Sequence, residues 1–325
     1  MKLLKKHIFT AIVLSVIFIG FFACEKDITV ELPRAEEKLN VQAYIELDEF
    51  PIVFLTKNTS YFDPIDTNKI KDLIIWGNDA NVTVTCNGII DTLIPFKNGQ
   101  MWPYKGYIGT KIKGQIGNSY RLDIKYNNKE FFSTTTILDT VGIDSVKYTS
   151  LLQISVAEGK KLGYLTIYWK NNPMNEHFAI RTKSPSQKWF YRPMVVNVID
   201  DKLNDNDPFL SCPYLTKGYE RNSYYAASED DNDTTSFLDH IMFYPLDTVE
   251  IKLSTIDDEA FLFWQSIDRS KMTDGNPFVN PASVKSNIKG APAVGSWIGY
   301  GSWAGKYFID TTNASKKRNY SVVKL

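Results

Sequence analysis

Histidine and cysteine are scarce in this chain of 325 residues, which holds three of each. Charge of one sign is scarce as well, because 37 Lys and Arg balance 37 Asp and Glu. No segment gathers its Lys and Arg into a patch, so there is no field to draw in a polyanion, and no nucleic-acid partner is expected. Of the histidines, His177 and His240 lie beyond the N-terminal segment, and neither falls in a His-Glu-x-x-His pattern. Both read as ordinary surface or core residues. The one run resembling a nucleophile elbow, Gly299-Tyr300-Gly301-Ser302-Trp303, lacks its spacing. No repeat of fixed period occurs. With so little material for catalysis, we assign no catalytic residue, no metal ligand set and no cofactor, and expect a protein that is not an enzyme.

What is present begins at the N-terminus. Lys2, Lys5 and Lys6 precede an apolar stretch from Ile8 to Ala23, short of the roughly 18 to 20 residues that a spanning helix needs. The basic, apolar, small-residue order is that of an export signal over residues 1–23. Cys24 follows at once and is expected to carry a thioether-linked diacylglyceryl group on a processed N-terminus. Ala23 fits a bacterial lipobox, whereas Phe21 and Phe22 are bulkier than its usual residues. Two or three acyl chains anchor more firmly than the single chain that binds membranes reversibly. Loss of residues 1–23 leaves 302 residues with 34 basic and 37 acidic side chains. That length suits about two domains.

Residues 24–37 carry charge and a proline without apolar periodicity and read as a tether. From Lys38 the text becomes strand and turn: LNVQAYIEL, PIVFLTK, ANVTVTCNG, DTLIPF, YRLDIKY and EFFSTTTIL alternate and break at Gly, Asn, Asp or Pro. Tyr126-Asn127-Asn128-Lys129 predicts a hairpin turn in which Asn supplies positive φ. Residues 38–140 are therefore expected to form an immunoglobulin-like β-sandwich. A second β-rich domain is expected over 141–325, from SVKYTSLLQISV, GYLTIYWKN, HFAIRTKS and VEIKLSTI. Ala260, Phe263, Trp264 and Ile267 at helical spacing place one amphipathic helix near 257–271, with Thr255 and Asp258 as its capping pair. The fold class is thus mainly all-β, with two sandwich-like domains. Cys86 and Cys212 are either bridged or two isolated buried thiols.

Few segments offer chemistry. The acidic stretches Asp200-Asp201 to Asp207 and Glu229 to Asp233 could gather oxygen ligands for calcium, but lack the Gly and terminal Glu of a helix-loop-helix calcium loop. Solvated loops are the simpler reading. In GSWIGYGSWAGKYF, residues 295–308, the rings of Trp297, Tyr300 and Trp303 interleave with glycine. They either stack on a ligand such as a sugar or fill a core from a bent strand. Asp, then Ser or Thr, then an aliphatic residue or Thr recurs at Asp91-Thr92-Leu93, Asp139-Thr140-Val141, Asp144-Ser145-Val146, Asp233-Thr234-Thr235, Asp247-Thr248-Val249 and Asp310-Thr311-Thr312, resembling an O-glycosylation acceptor of exported Bacteroidota proteins.

Several segments together, CEKDITVELP, EEKLNVQAYI, FLDH, VEIKLSTIDDEAFLFWQSI and NPFVNPASVKSNIKG, resemble the Bacteroidota outer-membrane lipoproteins grouped as domain-of-unknown-function family 4249. The strongest signature is Asn276-Pro277-Phe278 with Pro281 and Ser286-Asn287-Ile288-Lys289-Gly290. Ala291-Pro292-Ala293 stands where the family more often has glycine. The resemblance implies an accessory component accompanying TonB-dependent receptors, and supplies no catalytic residues. Glu25-Lys26-Asp27 partly matches the signal that sends such lipoproteins to the cell surface. The expectation is a lipid-anchored outer-membrane protein facing outward, acting as a binding or accessory module in nutrient uptake. The alternatives are a surface hydrolase of glycan or peptide, with carboxylates such as Asp239 as acid and base, and a structural envelope or adhesion protein.

Overall fold

The alternating runs form strands in the computed structural model, which describes residues 38–58, 71–97, 99, 105–151, 162–172, 174–201, 208–218, 241–273, 283–310 and 319–324. Cys24 with its signal and tether, Asp239, His240, the acidic stretches 202–207 and 229–233, and the Asn276 to Pro281 part of the signature lie outside the described residues. The first half contributes β1 (Leu39–Glu46), β2 (Ile52–Lys57), β3 (Ile74–Ile75), β4 (Ala80–Cys86), β5 (Ile89–Thr92), β6 (Ile94–Lys97), β7 (Lys105–Ile108), β8 (Ser119–Tyr126) and β9 (Lys129–Thr136). After it come β10 (Ile143–Ser150), β11 (Gly163–Lys170), β12 (His177–Lys183), β13 (Val198–Asp200), β14 (Phe209–Leu215), β15 (Thr248–Thr255), α1 (Asp258–Thr273), β16 (Lys289–Gly290), β17 (Ala293–Asp310) and β18 (Asn319–Lys324). The fold is mostly β and sandwich-like.

Strand alternation explains the first core. In β1, Leu39, Val41, Ala43 and Ile45 point inward at period two. They meet Val82, Val84 and Cys86 of β4 and Tyr120, Leu122 and Ile124 of β8. A five-stranded sheet, β16-β9-β8-β4-β5, thereby faces strands of a thirteen-stranded network ordered β14-β11-β10-β18-β17-β1-β2-β7-β6, to which β12, β13, β15 and β3 attach. The hairpin forms as the dipeptide requires: Asn127 and Asn128 adopt φ of 48° and 56°, and Tyr126 pairs with Lys129. Asp91 fastens the edge, its buried carboxylate accepting the backbone N–H groups of Thr110, Lys111 and Ile112 at 2.9, 2.8 and 3.0 Å.

Ile137 is the last residue of this stretch in the first core, and Val141 opens the second. There Leu165, Ile167 and Trp169 of β11 and Leu210 and Cys212 of β14 pack on Phe178, Ile180, Val249, Ile251 and Leu253 of β12 and β15. Cys86 and Cys212 are therefore free, buried thiols in separate cores.

The helix starts at Asp258 and not with the expected pair. Asp257 is the cap, its Oδ1 accepting the Ala260 N–H at 2.8 Å. Thr255 is engaged elsewhere, donating to Asp139 O at 2.8 Å. Asp258 and Glu259 in the first turn and Lys271 in the last suit the helix dipole. Ala260, Phe261 and Phe263 form a third cluster with Ala179, Ile256, Ile298 and Tyr300. Asp257 Oδ2 also accepts from Thr135 Oγ1, which in turn accepts the Gly299 N–H, so one short relay ties the helix cap to β9 and β17.

Late residues return to the first core. Residues 293–300 of β17 pair parallel with β1, and 301–308 pair antiparallel with β15. The Ser286 to Gly290 signature seats this strand. The Asn287 amide accepts the Trp297 N–H at 2.9 Å and donates to Trp297 O at 2.8 Å, acting as a one-residue strand partner. Ser286 Oγ accepts the Gly295 N–H at 3.1 Å, and Gly290 sits at φ 102° against Glu130 O.

Gly301 makes the crossing possible. A Cβ there would overlap Thr255 Oγ1 and, more closely, Leu138 O, which is backbone and has no rotamer to change. Gly301→Ala is expected to lower the unfolding free energy by about 1–3 kcal/mol, the usual cost of overpacking. Urea unfolding followed by tryptophan fluorescence reads this, and an unchanged midpoint would refute the packing account.

Candidate functional site

The aromatic and glycine residues of 295–308 follow the two faces of β17. On one face Trp297 enters the first core, Gly299 and Gly301 pass beneath the carbonyls of Thr136 and Leu138, and Trp303 and Tyr307 reach the second core. Ile298 and Tyr300 occupy the other face under α1. The three expected binding residues therefore separate. Trp297 is fully buried, with Nε1–H donating to Tyr120 O at 2.8 Å. Tyr300 is buried, its hydroxyl accepting from Arg181 Nη2 at 2.8 Å and Trp264 Nε1 at 3.1 Å. For these two rings a role in stacking on a ligand is corrected to core packing, since neither presents a face to solvent.

Trp303 differs. It is half-buried and lies along the strand over Gly305, where a Cβ would come within 2.5 Å of the ring. Beside it opens a cleft of about 400 Å³ lined by Thr140 to Asp144, by Lys170, Asn171 and Asn172 at the end of β11, and by Lys324. The size lies within the range of small-ligand sites. Lys324 Nζ stands 4.7 Å from the Trp303 ring centroid, and Gly142 comes close enough that a Cβ would touch the indole at 3.5 Å. Asp144 contributes a carboxylate whose charge adds to burial in pushing the Tyr307 hydroxyl up to about 12. An indole face with amides, two ammonium groups and one carboxylate suits a small polar ligand that presents both an apolar ring or chain face and hydroxyl or amide groups.

Asp144 is visible in the sequence within an Asp-Ser pair, and Lys170 and Asn171 as the end of the run GYLTIYWKN. Asn172 and Lys324 carry no signal. The recurrent Asp-Thr and Asp-Ser pairs include structural fasteners: besides Asp91, Asp247 Oδ2 accepts the Tyr244 N–H at 2.9 Å and the Lys217 ammonium at 2.8 Å. Thr92 and Ser145 are exposed. His177, which the sequence presents as an ordinary surface or core residue, is sealed by the fold beside Glu176, Asp200 and Asp258. Only strand pairing brings residues 176–177 to the start of α1, and no spacing rule announces it.

The family profile described as "Domain of unknown function (DUF4249)" matches residues 25–301. The chain belongs to this family. A search of curated proteins returns no match.

Trp297 and Trp303 are expected to behave oppositely. Trp297→Ala removes a sealed ring and should cost about 3–5 kcal/mol of stability. Trp303→Ala should cost far less in urea unfolding; an equal loss at both positions would mean that Trp303 is a core residue as well.

Proposed function

We propose that this protein is a lipid-anchored module of the outer-membrane surface that binds a small polar ligand, glycan or peptide in chemistry, and accompanies a TonB-dependent receptor in nutrient uptake. The observation that carries the binding half is the cleft at Trp303, the one expected binding ring left partly open to solvent. Among the described residues lining it, Asp144 is the single carboxylate. Hydrolysis of a glycoside by the usual route requires two, about 5 to 10 Å apart, so the cleft's chemistry favours holding a ligand over cleaving one. The anchoring half is supported by the position of Cys24 after the apolar stretch 8–23, and the receptor by what the family resemblance implies. Among the described residues no helix is long and apolar enough to cross a membrane.

Three measurements test the reading. Mass spectrometry of the mature N-terminus should find acylated Cys24, and affinity purification from solubilised outer membrane should recover a TonB-dependent receptor. An unmodified Cys24 or repeated recovery without any receptor would overturn the corresponding half. On arrays of glycans and peptides the wild type should show binding that Trp303→Ala reduces at least tenfold. Binding unaffected by that substitution would place the ligand elsewhere.

A further inference from the structure

Away from the cleft, the junction of β12, β13 and α1 gathers one histidine and three carboxylates. Asp200 is registered opposite His177 across β13 and β12. The Ile256 N–H donates to His177 O at 3.1 Å, which sets the first residue of α1 against the start of β12. One turn along, Phe261 stacks on the imidazole with ring centroids 4.2 Å apart and planes within 4°. The ring is thus fixed in plane and position, and its side chain is only 4% exposed. Nε2 lies 3.1 Å from Asp258 Oδ1. Nδ1 has Asp200 Oδ1 at 3.5 Å and makes no hydrogen bond. A nitrogen of His177 and a carboxylate oxygen from each of Glu176 and Asp258 all fall within 4.8 Å of one another.

We propose that Glu176, His177 and Asp258 bind one divalent transition cation of the zinc class, with Asp200 as the outer carboxylate that orients the imidazole. The bland reading is a buried histidine in an ion pair, and one carboxylate would satisfy it. Here carboxylates from β13, from α1 and from the residue just before β12 converge on one immobilised ring. The positive end of α1 accounts for Asp258, which belongs to the first turn, but it does not account for Glu176 before β12 or Asp200 at the end of β13. That same positive end works against a bound cation, by about half a charge, and two ligating carboxylates outweigh it.

The donor set selects the metal. An imidazole with two carboxylates suits zinc and its transition-metal neighbours, whereas calcium takes six to eight oxygens. Tetrahedral zinc with bonds of about 2.0–2.2 Å holds its donors about 3.4 Å apart. The His177 to Asp258 separation is already there, and Glu176, exposed, has a carboxylate oxygen within 4.8 Å of both donors. Three protein donors leave a fourth position open for water or an incoming ligand. Asp200 fits the outer role, since a metal-bound histidine usually presents its other nitrogen to a carboxylate.

The test uses the full-length chain in detergent, stripped with chelator and dialysed. Titration calorimetry with zinc chloride, with metal counted by mass spectrometry, should give one zinc per chain, and zinc should raise the thermal midpoint reversibly. Glu176→Gln and Asp258→Asn, both at exposed positions, should each weaken zinc binding at least tenfold while leaving the metal-free midpoint near that of the wild type. Asp200→Asn should weaken it about 10- to 100-fold, the effect of losing an outer partner. Cobalt loaded in place of zinc should give visible absorption bands that Glu176→Gln alters. Failure of the wild type to bind zinc stoichiometrically overturns the proposal, even if His177→Gln lowers the midpoint, because that result describes an ion pair alone. Zinc binding that persists unchanged in both carboxylate variants overturns it too.

Discussion

Strand β17 is the constraint on which the rest of this structure depends. Its 18 residues pair with β1, β15 and β18 and place side chains in all three hydrophobic clusters. A strand crossing from one core to another must pass the chain that leaves the first for the second, here residues 136–141. Two backbones cannot approach that closely with a Cβ between them, so Gly299 and Gly301 stand at the crossing. The relay from the Gly299 N–H through Thr135 to Asp257 then transfers the position of the crossing to the start of α1. Helix, linker and both cores thus take their registration from one segment.

Both functional constellations inherit that registration. Trp303 follows Gly301 by two residues, so its ring emerges on the face just past the crossing, where the departing linker cannot cover it completely. The linker and the start of β10 supply Thr140 to Asp144 to the lining of the cleft. On the other side, the cap at Asp257 fixes Asp258, the carboxylate nearest the His177 imidazole. The two sites lie in different parts of the sheet network yet depend on the same few fixed backbone positions, which are rigid elements of the kind that can hold side chains to narrow tolerances.

How much of this could be read in the sequence follows from the range of the interactions involved. The hairpin at Asn127-Asn128 and the helix beginning within one residue of 257 were legible, because turn chemistry and apolar spacing act over a few residues. The cap was misassigned to Thr255 by two residues, since Asp257 and Thr255 both offer an acceptor oxygen and only tertiary packing draws Thr255 to Asp139. The aromatic stretch was legible as unusual, but whether its rings were core or surface depended on which residues lay across the strand. Pairing of β17 with β1 joins positions some 250 residues apart, and no local pattern encodes it. His177 illustrates the limit best: beside its sequence neighbour Glu176, it meets Asp200 from β13 and Asp258 from α1, and each looks unremarkable in its own segment.

Of the motif that carries the resemblance, the described residues Ser286 to Gly290 include three occupied by structure. Asn287 spends its amide on both backbone groups of Trp297, Ser286 holds Gly295, and Gly290 lets the chain lie against Glu130. The family match covers residues 25–301, so it includes the Ser286 to Gly290 contacts that seat β17, and it names no ligand. Ligand choice has to rest on side chains that the seating leaves unspent. In the cleft these include the Trp303 face, the Lys170 and Lys324 ammonium groups and the Asp144 carboxylate, none of which belongs to the signature. Two proteins could share the whole scaffold and differ at those positions, and they would then share an architecture and not a substrate.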